Sequence, residues 1–338
     1  MSLLRRIAPQ LVALLILFAL VSVVFPGFLS VSLNDGRLVG PVIDVLKRGA
    51  PVALLSIGMT LVIATRGIDL SVGTTMAICG AAAAAVIAAG WGLPAALAVA
   101  LAAGAAAGLW NGVLVAIVGI QPFVATLILM TMGRGIAQLI TEGCILTFSD
   151  AGLAFFGSGT LLGLPVPAWL WIVGGLGVAA LMRRTALGLL IEAIGINRRA
   201  SALAGVNATV LVIAVYVAAG LCAALAGIVV TADIRGADAN NAGLWLELDA
   251  ILAVVIGGNS LLGGRFSVIA SILGAMIIQT IDTGVLLAGF PPEYNLVIKA
   301  VLVLMILVLQ SPRIAAEWRL WRDSQRASRA AAERRQAS

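Results

Sequence analysis

Apolar runs that follow one another along the chain are the feature of this sequence that most restricts its fold. Hydrophobic residues make up 62% of the 338 residues and charged residues only 11%, whereas a soluble domain carries about 25% charge. A helix of about 20 apolar residues matches the thickness of the hydrocarbon core of a bilayer. The sequence therefore predicts an all-α polytopic membrane protein.

Glycine, proline and polar residues divide the apolar sequence into about ten segments that we expect to cross or re-enter the membrane. The run ELDAILAVVIGG, residues 247–258, is short for a spanning helix and predicts a half-helix or a re-entrant element. The segments lie near residues 10–26, 45–65, 71–90, 94–118, 122–140, 167–182, 209–231, 247–258, 267–288 and 294–310.

The distribution of Lys and Arg predicts that both ends of the chain lie in the cytoplasm. With this orientation, most basic residues fall on the cytoplasmic side, including those at 183–184, 198–199 and 313–335. Lys47 and Arg48 are exceptions, and we expect them at the outer interface with their aliphatic stems buried.

Several classes of function are excluded by the residues that the sequence lacks. It has no histidine, no G-x-x-x-x-G-K-[ST] motif and no G-x-S-x-G motif, so it offers no histidine base, no P-loop for ATP and no hydrolase elbow. Cys79, Cys144 and Cys222 lie far apart, without metal or disulfide spacing. The net charge of +6 collects at membrane flanks and does not indicate nucleic acid. A transporter subunit or channel fits this profile better than an enzyme.

Polar residues inside apolar segments are the candidate functional residues, because a charged one costs about 2.5–3.5 kcal/mol on insertion scales. In VIATRGIDLSVG, residues 62–73, we expect Gly67 to end one helix in a left-handed conformation. Asp69 or Ser71 then begins the next helix. Asp69 either caps that helix only or also faces a transported solute, and Arg66 is either an interfacial charge or part of the same site.

Further polar candidates lie in two other segments. Asp249 either caps the short run at 247–258 or lines a path, and Asn259 follows in the glycine-rich GGNSLLGGR. The amides of Asn111, in GLWNG, and of Gln279 bond either a neighbouring helix or a polar solute.

Small residues predict where helices approach closely. Gly104, Gly108 and Gly112 form two consecutive GxxxG steps, and AGLCAALAG at 219–227 offers a similarly smooth face.

The loop at residues 183–207, RRTALGLLIEAIGINRRASALAGVN, is the longest cytoplasmic segment between predicted spans. Its mixed charge and amphipathic pattern predict short surface helices that dock a partner or, alternatively, a solvated interfacial helix. It belongs to a transmembrane domain over residues 1–312, and residues 313–338 form a basic cytoplasmic tail beside anionic lipid headgroups.

Three stretches, in order, resemble the membrane permease subunit of ribose/galactose-type ABC sugar importers. They are GMTLVIATRGIDLSVG, GLWNGVLVAIVGIQPFVATLILM and ELDAILAVVIGGNSLLGGR. DGRLVG, TALGLLIEAIGIN and DIRGADANNAGLWLELDAILAVVIGG resemble the galactofuranose importer permeases in particular. The resemblance covers about residues 10–310, but the family usually has glycine where Arg66 stands, and EAIGIN replaces the Glu-Ala-Ala form of other importers.

This resemblance implies an ABC importer permease of type II-like fold in the bacterial inner membrane, without a cofactor of its own. It further implies separate ATPase subunits that bind ATP and Mg²⁺, a second permease that is identical or different, and a periplasmic sugar-binding protein. Membrane lipid is the remaining partner. The sugar is galactofuranose, with ribose or another pentose or hexose as the alternative.

The resemblance also implies two groups of site residues. Candidates for the translocation path are Asp69, Ser71, Asn111, Asp249 and Asn259. Candidates for coupling to the ATPase are Glu192, Gly195, Asn197, Arg198, Arg199 and Ala200. The rival interpretation is a stand-alone secondary transporter or facilitator, in which Asp69 and Asp249 would act as relay groups.

Overall fold

The computed structural model describes residues 3–34, 36–291 and 293–310, so the predicted tail at 313–338 lies outside the described residues. The chain divides into two units, residues 1–284 and residues 285–338. The helices are α1 Leu3–Val24, α2 Pro41–Arg48, α3 Ala50–Ala64, α4 Val72–Ala88, α5 Leu93–Val113, α6 Pro122–Thr141, α7 Ala151–Ser158, α8 Val166–Arg184, α9 Leu187–Ile196, α10 Arg198–Leu203, α11 Ala208–Ile234, α12 Leu246–Ile256, α13 Val268–Leu287 and α14 Glu293–Gln310, with a π-helical turn at Leu114–Val118.

The prediction of an all-α chain holds apart from three short antiparallel strand pairs in the connections. They are β1 Ser32–Asn34 with β2 Arg37–Val39, β3 Leu146–Thr147 with β6 Gly236–Ala237, and β4 Thr160–Leu161 with β5 Leu164–Pro165. The strands are too short for apolar alternation to reveal them in the sequence.

Six helices among the described residues are long and apolar enough to cross a membrane, or up to seven if the bent pair α2–α3 forms one span. Each of the ten predicted segments contains a helix, but α4 has only 17 residues and α12 only 11. The short α12 agrees with the expectation of a half-helix or re-entrant element. Ten crossings and cytoplasmic ends remain predictions.

Helix α11 is central to the packing and lies against α3, α4 and α5. A methyl group on Gly108 of α5 would collide with the carbonyl oxygen of Tyr216, and one on Gly104 with that of Gly220. Gly58 of α3 approaches the Cα atom of Ala219 in the same way. The close approach predicted at the GxxxG steps and at residues 219–227 is confirmed. The small-residue faces of α5 and α11 pack partly against each other.

Lys47, one of the two basic residues predicted at the outer interface, forms an ion pair with Asp233, with 2.7 Å between Nζ and Oδ1. Asp233 lies in the last turn of α11, whereas the loop at 183–207 precedes the first turn of that helix. Lys47 and the loop at 183–207 therefore lie at opposite ends of α11. The predicted orientation, with Lys47 outside and the loop in the cytoplasm, requires this.

Candidate functional site

A helix break occupies the stretch between α3 and α4. Thr65 ends α3, Arg66 has φ 65°, and the N–H groups of Arg66 and Gly67 donate to Ile63 (2.9 Å) and Val62 (3.0 Å). These paired bonds are those of a Schellman motif, whose left-handed residue is commonly glycine. The prediction that Gly67 is that residue is wrong by one position. Gly67 instead gives room to Tyr216, because a Cβ there would lie 2.7 Å from the hydroxyl of that tyrosine.

The side chain of Asp69 organises the start of α4. Its Oδ1 accepts from the backbone N–H of Ser71 (2.9 Å) and from the Ser71 hydroxyl (2.6 Å). This is an Asx-type turn. Ser71 directly precedes α4 but makes no side-chain cap. Of the two residues predicted to begin the helix, Asp69 therefore provides the hydrogen bonds.

Asn111 of α5 joins this pair inside the protein. Its Nδ2 donates to Ser71 Oγ (2.8 Å) and, at 3.5 Å, to Asp69 Oδ1, and all three side chains are buried. The structure thus brings together three of the five predicted path residues, which we call the polar cluster.

Two buried polar atoms beside the cluster have no hydrogen-bond partner among the described residues. They are Oδ1 of Asn111 and the hydroxyl of Tyr216. Leaving such an atom unpaired costs about 1–3 kcal/mol, so each needs an explanation. Sequence reasoning missed Tyr216 because it lies in a long apolar helix. The chain has only two tyrosines, and a rare polar side chain in an apolar helix is the feature that could have indicated Tyr216 as a candidate.

Thr126 of α6 is a second residue that the sequence did not reveal. Its hydroxyl oxygen accepts from the N–H of Leu70 (3.2 Å), and its one proton is shared between the carbonyls of Pro122 in its own helix (3.0 Å) and Ile68 (3.2 Å). Thr126 therefore contacts the backbone on each side of Asp69.

A cavity of about 280 Å³ lies next to the cluster. Gly67 and Tyr216 form one wall, and the segment after the π-helical turn and residues of α9 and α10 form others. The polar residues that line it are Thr65, Arg66, Gln121, Arg198 and Tyr216. The cavity therefore lies between the helix break at residues 65–67, Tyr216 and two residues of the predicted coupling loop, Ile194 and Arg198.

Asn259 belongs to a different polar network. Its Nδ2 donates to Ser271 Oγ (2.8 Å), its Oδ1 accepts from the N–H of Ser267 (2.7 Å), and Thr60 of α3 donates to Ser271 Oγ (2.7 Å). These bonds tie the turn after α12 to α13 and α3. Asp249 lies buried in the first turn of α12, where its charge suits the helix dipole.

The loop at 183–207 forms α9 and α10, in agreement with the prediction of short surface helices. Asn197, Arg198, Arg199 and Ala200 are exposed, and Asn197 caps α10 by accepting from the N–H of Ala200 (3.0 Å).

The other two coupling candidates face the body of the protein. Gly195 is buried and lies so close to the end of α3 that a side chain there would collide with the carbonyl oxygen of Ala64. Glu192 is half-buried and lines a second cavity of about 180 Å³ with Arg183 and Ser267.

Comparison with known proteins gives one family and several relatives. Residues 41–309 match the family described as branched-chain amino acid transport system / permease component. The chain is 63% identical to the galactofuranose transporter permease YtfT of Escherichia coli K12, over 90% of this chain and 89% of that one. It is 41% identical to the fructose import permease FruF of Bifidobacterium longum (90% and 87% covered) and 38% identical to the ribose import permease RbsC of E. coli K12 (90% and 93%).

A solved structure of an ABC transporter of metal-chelate type, in an inward-facing conformation, has a similar fold. The TM-score is 0.51 at 14% identity, with 90% of this chain and 99% of that chain covered. At this identity the likeness concerns the fold alone. It agrees with the expected ABC permease architecture.

Proposed function

The chain belongs to the family of branched-chain amino acid transport system permease components, and from this membership we infer that it is the permease subunit of an ATP-driven importer. Its cargo is a sugar, because the relatives compared above are permeases for galactofuranose, fructose and ribose. The observation that carries the assignment is 63% identity to the galactofuranose permease. Galactofuranose is therefore the favoured sugar, with ribose or another monosaccharide as the alternative.

We propose that the chain works in the bacterial inner membrane as one part of a complex. Since the sequence holds no P-loop, ATP and Mg²⁺ bind to separate ATPase subunits. A periplasmic binding protein delivers the sugar, and a second permease, either a copy of this chain or a different one, completes the path. Both ends lie in the cytoplasm, and about ten segments cross or re-enter the membrane.

The polar cluster is the proposed contact point for the sugar on its path. A sugar is neutral and rich in hydroxyl groups, so it requires hydrogen-bond partners rather than paired charges. Asn111 Oδ1 and the Tyr216 hydroxyl are buried and have no partner among the described residues, which supports this assignment because sugar hydroxyl groups can donate to an amide oxygen and can pair with a phenol. Asp249 and Asn259 shape the path at α12 and at the turn that follows it.

Transport follows from movement of the two loop helices. ATP binding closes the ATPase dimer, which displaces α9 and α10 through the exposed residues Asn197, Arg198, Arg199 and Ala200. The displacement changes the helix break that carries Asp69, and the path alternates between outward-open and inward-open states. The cavity beside Tyr216 then receives the sugar on the cytoplasmic side.

Uptake by the reconstituted complex tests this function. Proteoliposomes that hold the permease with its ATPase are supplied with the matched binding protein and with radiolabelled galactofuranose, fructose or ribose. We expect ATP-dependent accumulation, with galactofuranose taken up fastest. An ATPase variant that cannot hydrolyse ATP provides the control and should abolish accumulation.

Two results would contradict the assignment. Uptake that continues without an active ATPase would favour the stand-alone facilitator. Absence of ATP-dependent uptake for every sugar in the panel would exclude a sugar importer of this range.

A further inference from the structure

We propose that Arg66 is a positioning residue that transmits displacement of the loop helices to the polar cluster, an inference that rests on the proposed function. Its Nε donates to the carbonyl of Leu262 and its Nη2 to the carbonyl of Ile196, both at 2.9 Å. Ile196 is the last residue of α9, and Leu262 lies in the glycine-rich turn after α12. One side chain therefore joins the end of α3 to two segments that are distant in sequence.

Backbone contacts reinforce this junction. The N–H of Gly264 donates to the carbonyl of Ala64 (3.0 Å), and Gly195 of α9 packs against both groups. A Cβ on Gly263 would lie 2.5 Å from the Cγ of Arg66. Because no side chain separates these segments, α9 cannot shift without moving the residues that follow α3.

The chain leads directly from the junction to the polar cluster. Gly67 follows Arg66 and lies against the Tyr216 hydroxyl, and Thr126 contacts the backbone on both sides of Asp69. Displacement of Arg66 is therefore passed along three residues of constrained backbone to the Asp69 carboxyl.

The other side of the cluster has a matching connection. Arg198 of α10 donates from Nη2 to the carbonyl of Ala116 (3.3 Å), in the π-helical turn that continues α5 beyond Asn111. The helix pair α9–α10 thus contacts both segments of the cluster, and Arg66 makes the contact on the Asp69 side.

The backbone conformation of Arg66 makes a clean substitution available. A φ of 65° is unfavourable for residues other than glycine. Glycine adopts this turn without strain, so Arg66→Gly removes the side chain and its hydrogen bonds while leaving the turn intact. The alternative is that Arg66 only caps the last carbonyl group of α9 and so stabilises that helix. An experiment can distinguish this structural role from transmission of movement to the polar cluster.

The test compares Arg66→Gly, Arg66→Lys and the wild type in the complete complex with ATPase and binding protein. Glycine keeps the turn and removes both hydrogen bonds, whereas lysine keeps the charge but lacks the planar guanidinium whose Nε and Nη2 donate to the two carbonyls. The matched control is Arg235→Gly, since Arg235 is an exposed arginine with φ 53° at the opposite end of α11. Assembly, basal and binding-protein-stimulated ATP hydrolysis, and sugar uptake per ATP are measured.

We expect Arg66→Gly to assemble normally and to lose about tenfold in sugar transported per ATP, because both hydrogen bonds of this exposed side chain are lost and solvent exposure limits what each contributes. Arg66→Lys should recover part of this ratio, and Arg235→Gly should match the wild type. A purely structural role would instead lower the amount of complex and leave transport per ATP unchanged.

Wild-type transport per ATP in assembled Arg66→Gly would overturn the proposal, as would an equal loss in Arg235→Gly. If Arg66→Gly does not assemble, an unchanged ratio in Arg66→Lys would overturn it. These outcomes presuppose that the wild-type complex transports sugar, so failure of the proposed function is recognised separately by the absence of wild-type uptake.

Discussion

The two ends of the Asn111 amide have different surroundings. Nδ2 donates to Ser71 and Asp69, whereas Oδ1 faces no donor among the described residues. The Tyr216 hydroxyl is unpaired in the same way. Buried polar atoms are nearly always paired, so these two atoms are the ones on which the proposed contact with the sugar depends.

Replacing Tyr216 by phenylalanine separates stability from transport at this position. Removing an unpaired buried hydroxyl relieves a cost of about 1–3 kcal/mol, so we expect unchanged or higher thermal stability together with slower uptake. The measurements are the unfolding temperature of the purified complex and its initial uptake rate.

Tyr294→Phe provides the control, because Tyr294 is the other tyrosine of the chain and is 53% exposed. Uptake that is unaffected by Tyr216→Phe would remove Tyr216 from the path.

Sequence reasoning located the helix break but not all of its residues. Asp69, Ser71 and Asn111 are polar residues in apolar surroundings, and that contrast made them visible. Tyr216 and Thr126 were missed because each lies in a long helix of mostly apolar residues, where a single hydroxyl group does not change the hydropathy of the segment. The position of the left-handed residue was wrong because the space that Gly67 provides depends on Tyr216, about 150 residues further along the chain.

At the scale of helices, the glycine contacts between α5 and α11 hold the bundle together. The backbones of both helices touch at Gly104 and Gly108, with no side chain between them. The GxxxG spacing predicted this feature, because the motif is local in sequence. The internal position of Gly195 was not predicted, because it depends on Ala64 and Gly264, which belong to distant segments.

We expect Gly108→Ala to destabilise the purified protein by about 1–3 kcal/mol, since the added methyl group would overlap the Tyr216 carbonyl. Thermal unfolding in detergent measures the effect. Gly135→Ala in α6 is the control, because a Cβ there meets no atom within 4 Å.

That control should be neutral or slightly stabilising, as replacement of a helical glycine by alanine generally is. Equal unfolding temperatures for Gly108→Ala and the wild type would show that α5 and α11 are not held by this contact.

At the scale of the whole molecule, the predicted orientation places the two ends of α11 on opposite sides of the membrane. The ion pair of Lys47 with Asp233 lies at one end, and the loop at 183–207 lies at the other. Cys144, in the connection after α6, is the one exposed cysteine of the three. This connection pairs with the segment that follows α11, through β3 and β6.

A membrane-impermeant thiol reagent should therefore label Cys144 from the periplasmic side of intact spheroplasts. Cys144→Ser should abolish that labelling. In the Cys144→Ser background, Leu203→Cys on α10 should be labelled only in inverted vesicles, since Leu203 is 91% exposed at the opposite end. The reverse pattern would overturn the assignment of both ends to the cytoplasm.

The glycine contacts also determine which parts of the permease can slide. The backbones of α3 and α5 approach that of α11 closely at Gly58, Gly104 and Gly108, so we expect these three helices to move together. Gly257 and Gly274 similarly fasten α12 to α13. Between these two sets of helices lie the hydroxyl groups of Thr60 and Ser271 and the backbone hydrogen bond from Gly264 to Ala64. The hydroxyl groups can exchange partners, whereas the backbone bond holds one point of the boundary, so we expect the path to open by rotation about that point rather than by free sliding.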